Sequence, residues 1–423
     1  MKLLRITVCL AALSSSAVAS IPVGRGEIAL DAEAMVTYDS NVQGRQKSDD
    51  DVYGTFAPRI SYTRRAGIIG ADLSARLTSE RYVDNKQFNA DNVSANASLS
   101  LSEKSFQNIS GSATASYVES YQIDQDINAR IKTHAANFNG QFGYTTSPRT
   151  HFDAKANYSN TERAGTAASD QEFFDSGLDF GFSDFLDGTA LHLTYDYTRA
   201  TSSGNNARGA KIDQDAHLFS VGLSRPIYHD VTGRVNYGYR ILNRSAAETA
   251  TGATRETGSV FSATLEGPFL PPSRFPKIKS HLSLSYENAT TPGVNDTGGS
   301  KQLTGDLGLT WSARETTSVS ITASRSQRLS SNDLTAVTTA TQLGIEQKLG
   351  YSLTGTVNAG YTWNTYRTIA RSDEFLTAQG SLSYVLARDW SSSISYQYQK
   401  STSDFTVATY ERHVASLSLN YHY

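Results

Sequence analysis

One feature constrains this chain more than any single motif: a strict alternation of apolar and polar side chains, sustained for about ten residues at a time and repeated from end to end. In the closing stretch HVASLSLNYHY, Ala415, Leu417, Leu419, Tyr421 and Tyr423 alternate with Ser416, Ser418, Asn420 and His422. Further back, Leu353, Gly355, Val357, Ala359, Tyr361 and Trp363 alternate with Thr354, Thr356, Asn358, Gly360 and Thr362. Successive side chains of a strand point to opposite faces, so period two predicts β-structure. Twenty such segments are legible between residues 28 and 423, with no stretch of comparable helical period. If the short segments 317–326 and 339–348 are loop instead, the count falls to eighteen.

The connections alternate in length. Short ones, such as Arg65-Ala66-Gly67, take turns with longer ones rich in Asp, Asn, Gly, Ser and Thr. In hydrocarbon every backbone N–H and C=O must be paired internally, so a sheet crosses a membrane only as a closed barrel. Alternating strands, short periplasmic turns and long outer loops are the pattern of such barrels. The expected fold is therefore all-β, a transmembrane antiparallel up-and-down barrel in the bacterial outer membrane. With 423 residues spread over twenty strands, no length is expected to remain for a plug domain or a long constriction loop. Aromatic residues near strand ends on the apolar face, among them Tyr38, Tyr117, Tyr239 and Trp363, are placed as interfacial girdles.

The first residues read as an export signal. Lys2 and Arg5 precede the apolar run Ile6–Leu13, and Ala17-Val18-Ala19 forms a cleavage site, giving a signal over 1–19 and a barrel over 20–423. The one cysteine, Cys9, lies inside that signal, so disulfides are not expected to hold the exported chain together. A net charge of −3 without a basic patch argues against nucleic acid as a partner. The eight histidines are scattered and no nucleotide loop or Gly-x-Ser-x-Gly motif occurs, so neither an enzyme nor a cofactor is expected. Asp-rich loops, SDDD at 48–51 and DQD at 124–126, read as solvated turns, with Ca²⁺ binding as the alternative.

Parity assigns the inward face, which is dominated by Ser, Thr, Asn, Gln and Gly. Candidate charged pore-lining residues are Asp31, Glu33, Arg59, Asp72, Arg76, Asp153, Lys155, Asp179, Arg234, Arg240 and Asp306. Tyr423, Tyr421, Leu419 and Leu417 resemble the C-terminal signal read by the barrel assembly machinery.

The opening stretch VTYDSNVQGRQKSDDDVYGTFAPRISYTRR, residues 36–65, is similar to the first two strands of the family named putative β-barrel porin-2. The likeness rests on Tyr38, Asp39, Asn41, Val42, Asp49, Asp50, Asp51 and Pro58. It implies an outer-membrane barrel without catalytic residues. For a subset of the family it implies exopolysaccharide export beside a periplasmic polysaccharide export protein. Outer-membrane lipid, lipopolysaccharide and the assembly machinery are the other expected partners. A diffusion porin for small hydrophilic solutes and a structural or adhesive barrel are the alternative readings.

Overall fold

The computed structural model describes residues 21–422 apart from 47–48, 66, 102–107, 125, 127–128, 165–167, 204–212, 229, 245–254, 271–274, 276, 291–299, 330–334, 367–370 and 405–407. The expected signal, Cys9 and Tyr423 lie outside the described residues.

The chain forms a short strand β1 (Ile21–Val23) and then twenty long ones. These are β2 (Gly26–Asp39), β3 (Asp51–Arg64), β4 (Ile69–Tyr82), β5 (Ala90–Leu101), β6 (Ile109–Asp124), β7 (Ala129–Ser147), β8 (Thr150–Arg163), β9 (Gln171–Leu186), β10 (Thr189–Ser202) and β11 (Asp213–Tyr228). The wall continues with β12 (Val231–Arg244), β13 (Arg255–Glu266), β14 (Ile278–Thr290), β15 (Ser300–Arg314), β16 (Thr317–Leu329), β17 (Thr335–Lys348), β18 (Leu353–Tyr366), β19 (Arg371–Ala387), β20 (Trp390–Ser403) and β21 (Tyr410–His422).

From β2 onward each strand pairs antiparallel with the next. The sheet closes where β21 returns to β2, with Asp39 opposite Val414 and Asp31 opposite His422. Below that register β21 runs out, and β1 takes over the edge by pairing Ile21 with Ile28 and Val23 with Gly26. An unpaired strand edge is thus covered by three residues that carry too little alternation to be read from sequence.

All twenty periodic segments are strands, including 317–326 and 339–348, so the smaller count of eighteen does not apply. Most strands run past the legible alternation at their loop ends: β7 begins at Ala129 and β17 at Thr335. There neither face meets lipid, so nothing selects an apolar side, yet the ladder still satisfies the backbone. At the other end the turns are tight. Asp187 and Gly188 have φ of 32° and 74° between Leu186 and Thr189, a hairpin of the Asp-Gly kind whose twist suits the strands. Register shifts fall beside this turn and beside four other short connections.

The apolar parity faces outward. Leu30, Phe56, Leu73, Val221, Val357 and Leu417 are exposed along it, with Tyr38 and Trp363 exposed toward the strand ends and Tyr117 and Tyr239 exposed nearer mid-strand than expected for a girdle. Among the described residues the most deeply buried side chains are elsewhere. Val42, Thr37, Asp39, Ser169, Ser202, Asn364, Asp373 and Ser401 all lie in long loops or in the last three residues of strands at the loop end. The packed part of this molecule is its outer mouth.

Candidate functional site

The register places the sequence-predicted charged residues on the face opposite the exposed apolar rows. Asp31 stands across from Arg59, and Arg59 across from Arg76. Two arginines side by side repel. Glu33 relieves them by accepting Arg76 Nη2 at 2.5 Å. Asp31 also meets His422 at the closing seam. Asp72 lies opposite Thr63 and Ser98. Further round, Arg240 bonds Glu287, and His281 joins Asp306 at 2.9 Å to Glu266 at 3.5 Å.

The remaining four come together on the wall from β8 to β12. Lys155 Nζ lies 3.0 Å from Asp196 Oδ1. Asp179 receives Arg234 Nη1 at 3.0 Å and lies 3.2 Å from His192 Nδ1. His192 Nε2 is 2.9 Å from Ser224 Oγ. Arg234 belongs to β12 and Asp179 to β9, so the bond spans two intervening strands, a reach that the concave side of the wall permits. Lys155, Asp179, Asp196 and Arg234 border a recess of 640 Å³ whose lining also includes Asp153, Thr194, Ser220 and Asn236 and runs from Leu101 of β5 to Ser262 of β13. Asp153 and Asp179 are direct cross-strand neighbours. Asp153, Lys155, Asp179 and Arg234 lie in the halves of β8, β9 and β12 nearest the short turns, the periplasmic side of a barrel of this kind, while Asp196 and Ser220 lie at mid-strand.

The outer mouth is built differently. The β6–β7 hairpin carries Asp126, whose partners lie halfway round the wall. Arg328 of β16 grips its carboxylate with two bonds, Nη1 to Oδ2 at 2.8 Å and Nη2 to Oδ1 at 2.7 Å. Two parallel bonds of this type are the strong form of an ion pair. Arg371 of β19 donates to the Asp126 carbonyl at 2.8 Å and pairs with Asp373 at 2.6 Å. Tyr366 Oη sits between the carboxylates, 2.9 Å from Asp126 Oδ1 and 3.1 Å from Asp373 Oδ2. The Arg371 guanidinium lies 4.7 Å from the centre of the Tyr366 ring, within reach of a cation–π contact. Two carboxylates and two guanidiniums balance in a buried cluster, so the hairpin is tied across the mouth without leaving an isolated charge.

The near side of the same hairpin is fixed by Arg130. It donates to the Val42 carbonyl at 3.0 Å and to Tyr82 Oη at 2.6 Å, and lies 5.2 to 5.3 Å from the ring centres of Tyr82, Phe88 and Tyr121. Val42 is the end of the Tyr-Asp-x-Asn-Val stretch, whose other members hold the barrel shut. Asp39 accepts Arg412 Nη2 at 2.6 Å and Nε at 3.0 Å across the β2–β21 seam. The Asn41 side chain bonds the carbonyls of Arg45 and Glu411 and the amide of Gly44, which stands at φ 65°. Asp51 is spent inside its own loop system, accepting the amides of Asp84 and Asn85.

Three expectations change here. The mouth is crossed by a loop after all, although no length was allotted to one. Asp51 and Asp126, candidates for solvated or Ca²⁺-binding turns, are instead buried structural acceptors; no group of three or more potential metal ligands occurs among the described residues. Asp126, Arg328, Tyr366, Arg371 and Asp373 were missed as a functional set, because contacts across a barrel leave no trace in periodicity. The terminal residues are placed in part. Leu417 is exposed on the outer face opposite Val36, Leu419 faces Ala34, and Tyr421 contacts the Trp390 ring at a centroid distance of 4.8 Å.

Residues 300–423 match the family described as "Putative beta-barrel porin 2", the family that the opening stretch resembles. No curated protein matches the sequence. Among solved structures, "Copper transporter OprC" aligns over 93% of this chain and 80% of its own, at 10% identity and a TM-score of 0.51. The siderophore receptor PirA from Pseudomonas aeruginosa aligns over 95% and 81% at 10% identity and a TM-score of 0.45. The outer membrane protein opdK from the same organism aligns over 94% and 99% at 12% identity and a TM-score of 0.37. The first of these likenesses supports the fold.

Proposed function

We propose that this outer-membrane β-barrel of porin-like architecture conducts saccharide across the outer membrane and, more specifically, that it is an exit path for exopolysaccharide. The observation that carries this reading is the asymmetry of the lumen. The charged recess reaches from mid-wall toward the periplasmic turns, while the outer mouth is tied across by a hairpin. A cargo arriving from the periplasm meets hydrogen-bonding groups first and the constriction last. Hydroxyl and amide linings bind sugars through many weak contacts, which suits conduction. A periplasmic polysaccharide export protein would dock at the short-turn face, lipopolysaccharide would surround the outer half, and the barrel assembly machinery would insert the chain.

The test is loss of the gene in the producing cell. Polymer should accumulate in the periplasm while uptake of small solutes stays normal. Normal surface polymer with impaired uptake of small hydrophilic solutes would transfer the assignment to a diffusion porin.

A further inference from the structure

The recess in the wall from β5 to β13 has a composition that goes beyond a merely wet wall. Five charged residues line it: Asp153, Lys155, Asp179, Asp196 and Arg234. Both cations are already neutralised, Lys155 by Asp196 at 3.0 Å and Arg234 by Asp179 at 3.0 Å. Asp153 is the carboxylate left over. Its side chain is 58% exposed, and His151 Nε2, at 3.8 Å, is beyond hydrogen-bond reach. It also stands directly across from Asp179, an arrangement of like charges that costs stability in an empty wall. The site therefore presents hydrogen-bond acceptors in search of donors, with one negative charge in excess.

Glycines shape the floor. A side-chain carbon at Gly143 would come within 2.9 Å of Asp153 Oδ1, and one at Gly177 within 2.6 Å of Asp196 Oδ1. The polar side chains lie low over these bare positions and leave the space above them open. A volume of 640 Å³ falls within the range of roughly 300–1,000 Å³ typical of small-ligand pockets. Donors for a ligand's own oxygens are present as well, in Thr194, Ser220 and Asn236.

We infer that this recess is a subsite for an uncharged sugar residue, with a vicinal diol donating to Asp153 and the neighbouring carboxylate, and that it disfavours acidic sugars. This deepens the saccharide reading and rests on it. Uronate or sulfate groups would find no unpaired cation and would face the surplus carboxylate. Neutral hydroxyl groups meet an acceptor whose charge strengthens the bond.

The experiment is current block of the full-length protein in planar bilayers, with maltohexaose as the neutral probe and hexagalacturonate as the acidic one. Wild type should be interrupted by maltohexaose more readily than by hexagalacturonate. Asp153→Asn should raise the maltohexaose concentration needed for half-block by about tenfold, as expected for loss of one bond to a charged acceptor. It should narrow the difference between the probes. Glu346→Gln, across the lumen on β17, should leave the block unchanged. Folding of each variant is checked by the gel-mobility shift between unboiled and boiled samples. Unaltered maltohexaose block in Asp153→Asn, or preference for the acidic probe in wild type, would overturn the subsite while leaving the conduit standing. A conducting channel blocked by neither sugar would remove the saccharide reading itself.

Discussion

Replacing Asp126 with Ala should release the hairpin from the far wall. The carboxylate makes two bonds with Arg328 and one with Tyr366, all between 2.7 and 2.9 Å. Each hydrogen bond to a charged group contributes about 1.5–3 kcal/mol. The Arg328 side chain is 35% exposed, so its share is discounted for solvent screening. Arg371 keeps its bond to the backbone carbonyl and its pairing with Asp373, which limits the damage. A net loss of about 3 kcal/mol remains, or roughly a hundredfold in the ratio of docked to undocked hairpin. Single-channel recording reads this directly. The variant should show a larger unit conductance than wild type, and Arg328→Ala should do the same. Because both substitutions remove one contact, the double variant should be no more open than Asp126→Ala alone. Equal conductance in wild type and Asp126→Ala, with normal gel mobility, would refute the claim that the hairpin narrows the mouth.

Three further outcomes follow from the same geometry. Asp39→Ala leaves Arg412 without its buried partner at the closing seam, a loss of about 3–5 kcal/mol for a broken buried pair, and should lower the temperature at which the fast-migrating folded band disappears. Val357→Arg puts a charge on the lipid face at a cost of about 2–4 kcal/mol if it reaches the midplane. It should reduce the assembled barrel, whereas Asn358→Arg on the lumen face should be tolerated; equal yields would contradict the assigned faces. Removing Tyr423, or replacing it with Asp, should cut the amount of assembled protein in the outer-membrane fraction, and normal assembly would place the signal elsewhere.

How much of this was legible beforehand follows from which forces write themselves into local sequence. Lipid touches one face of every strand and water the other, so each membrane-crossing stretch must alternate. From that alternation come the twenty strands, their connectivity and the parity of residues such as Asp179 and Arg234. Where lipid contact ends, the pattern fades, and with it the strand ends at Ala129 and Thr335 and the small edge strand at Ile21–Val23. The similarity of the opening stretch pointed to a family, but not to the reason for its residues. Asp39 and Asn41 act on Arg412 and Glu411, which are brought beside them only when the last strand closes on the first.

The sequence by itself determined the barrel and which face of each strand is wet. Tertiary structure alone decided what the wet face does. Ring closure brings Asp126 to Arg328 and Arg371, from opposite parts of the chain, and sets Lys155, Asp179, Asp196 and Arg234 around one recess. Those meetings depend on curvature and on registers accumulated over many strands, quantities that no window of neighbouring residues contains.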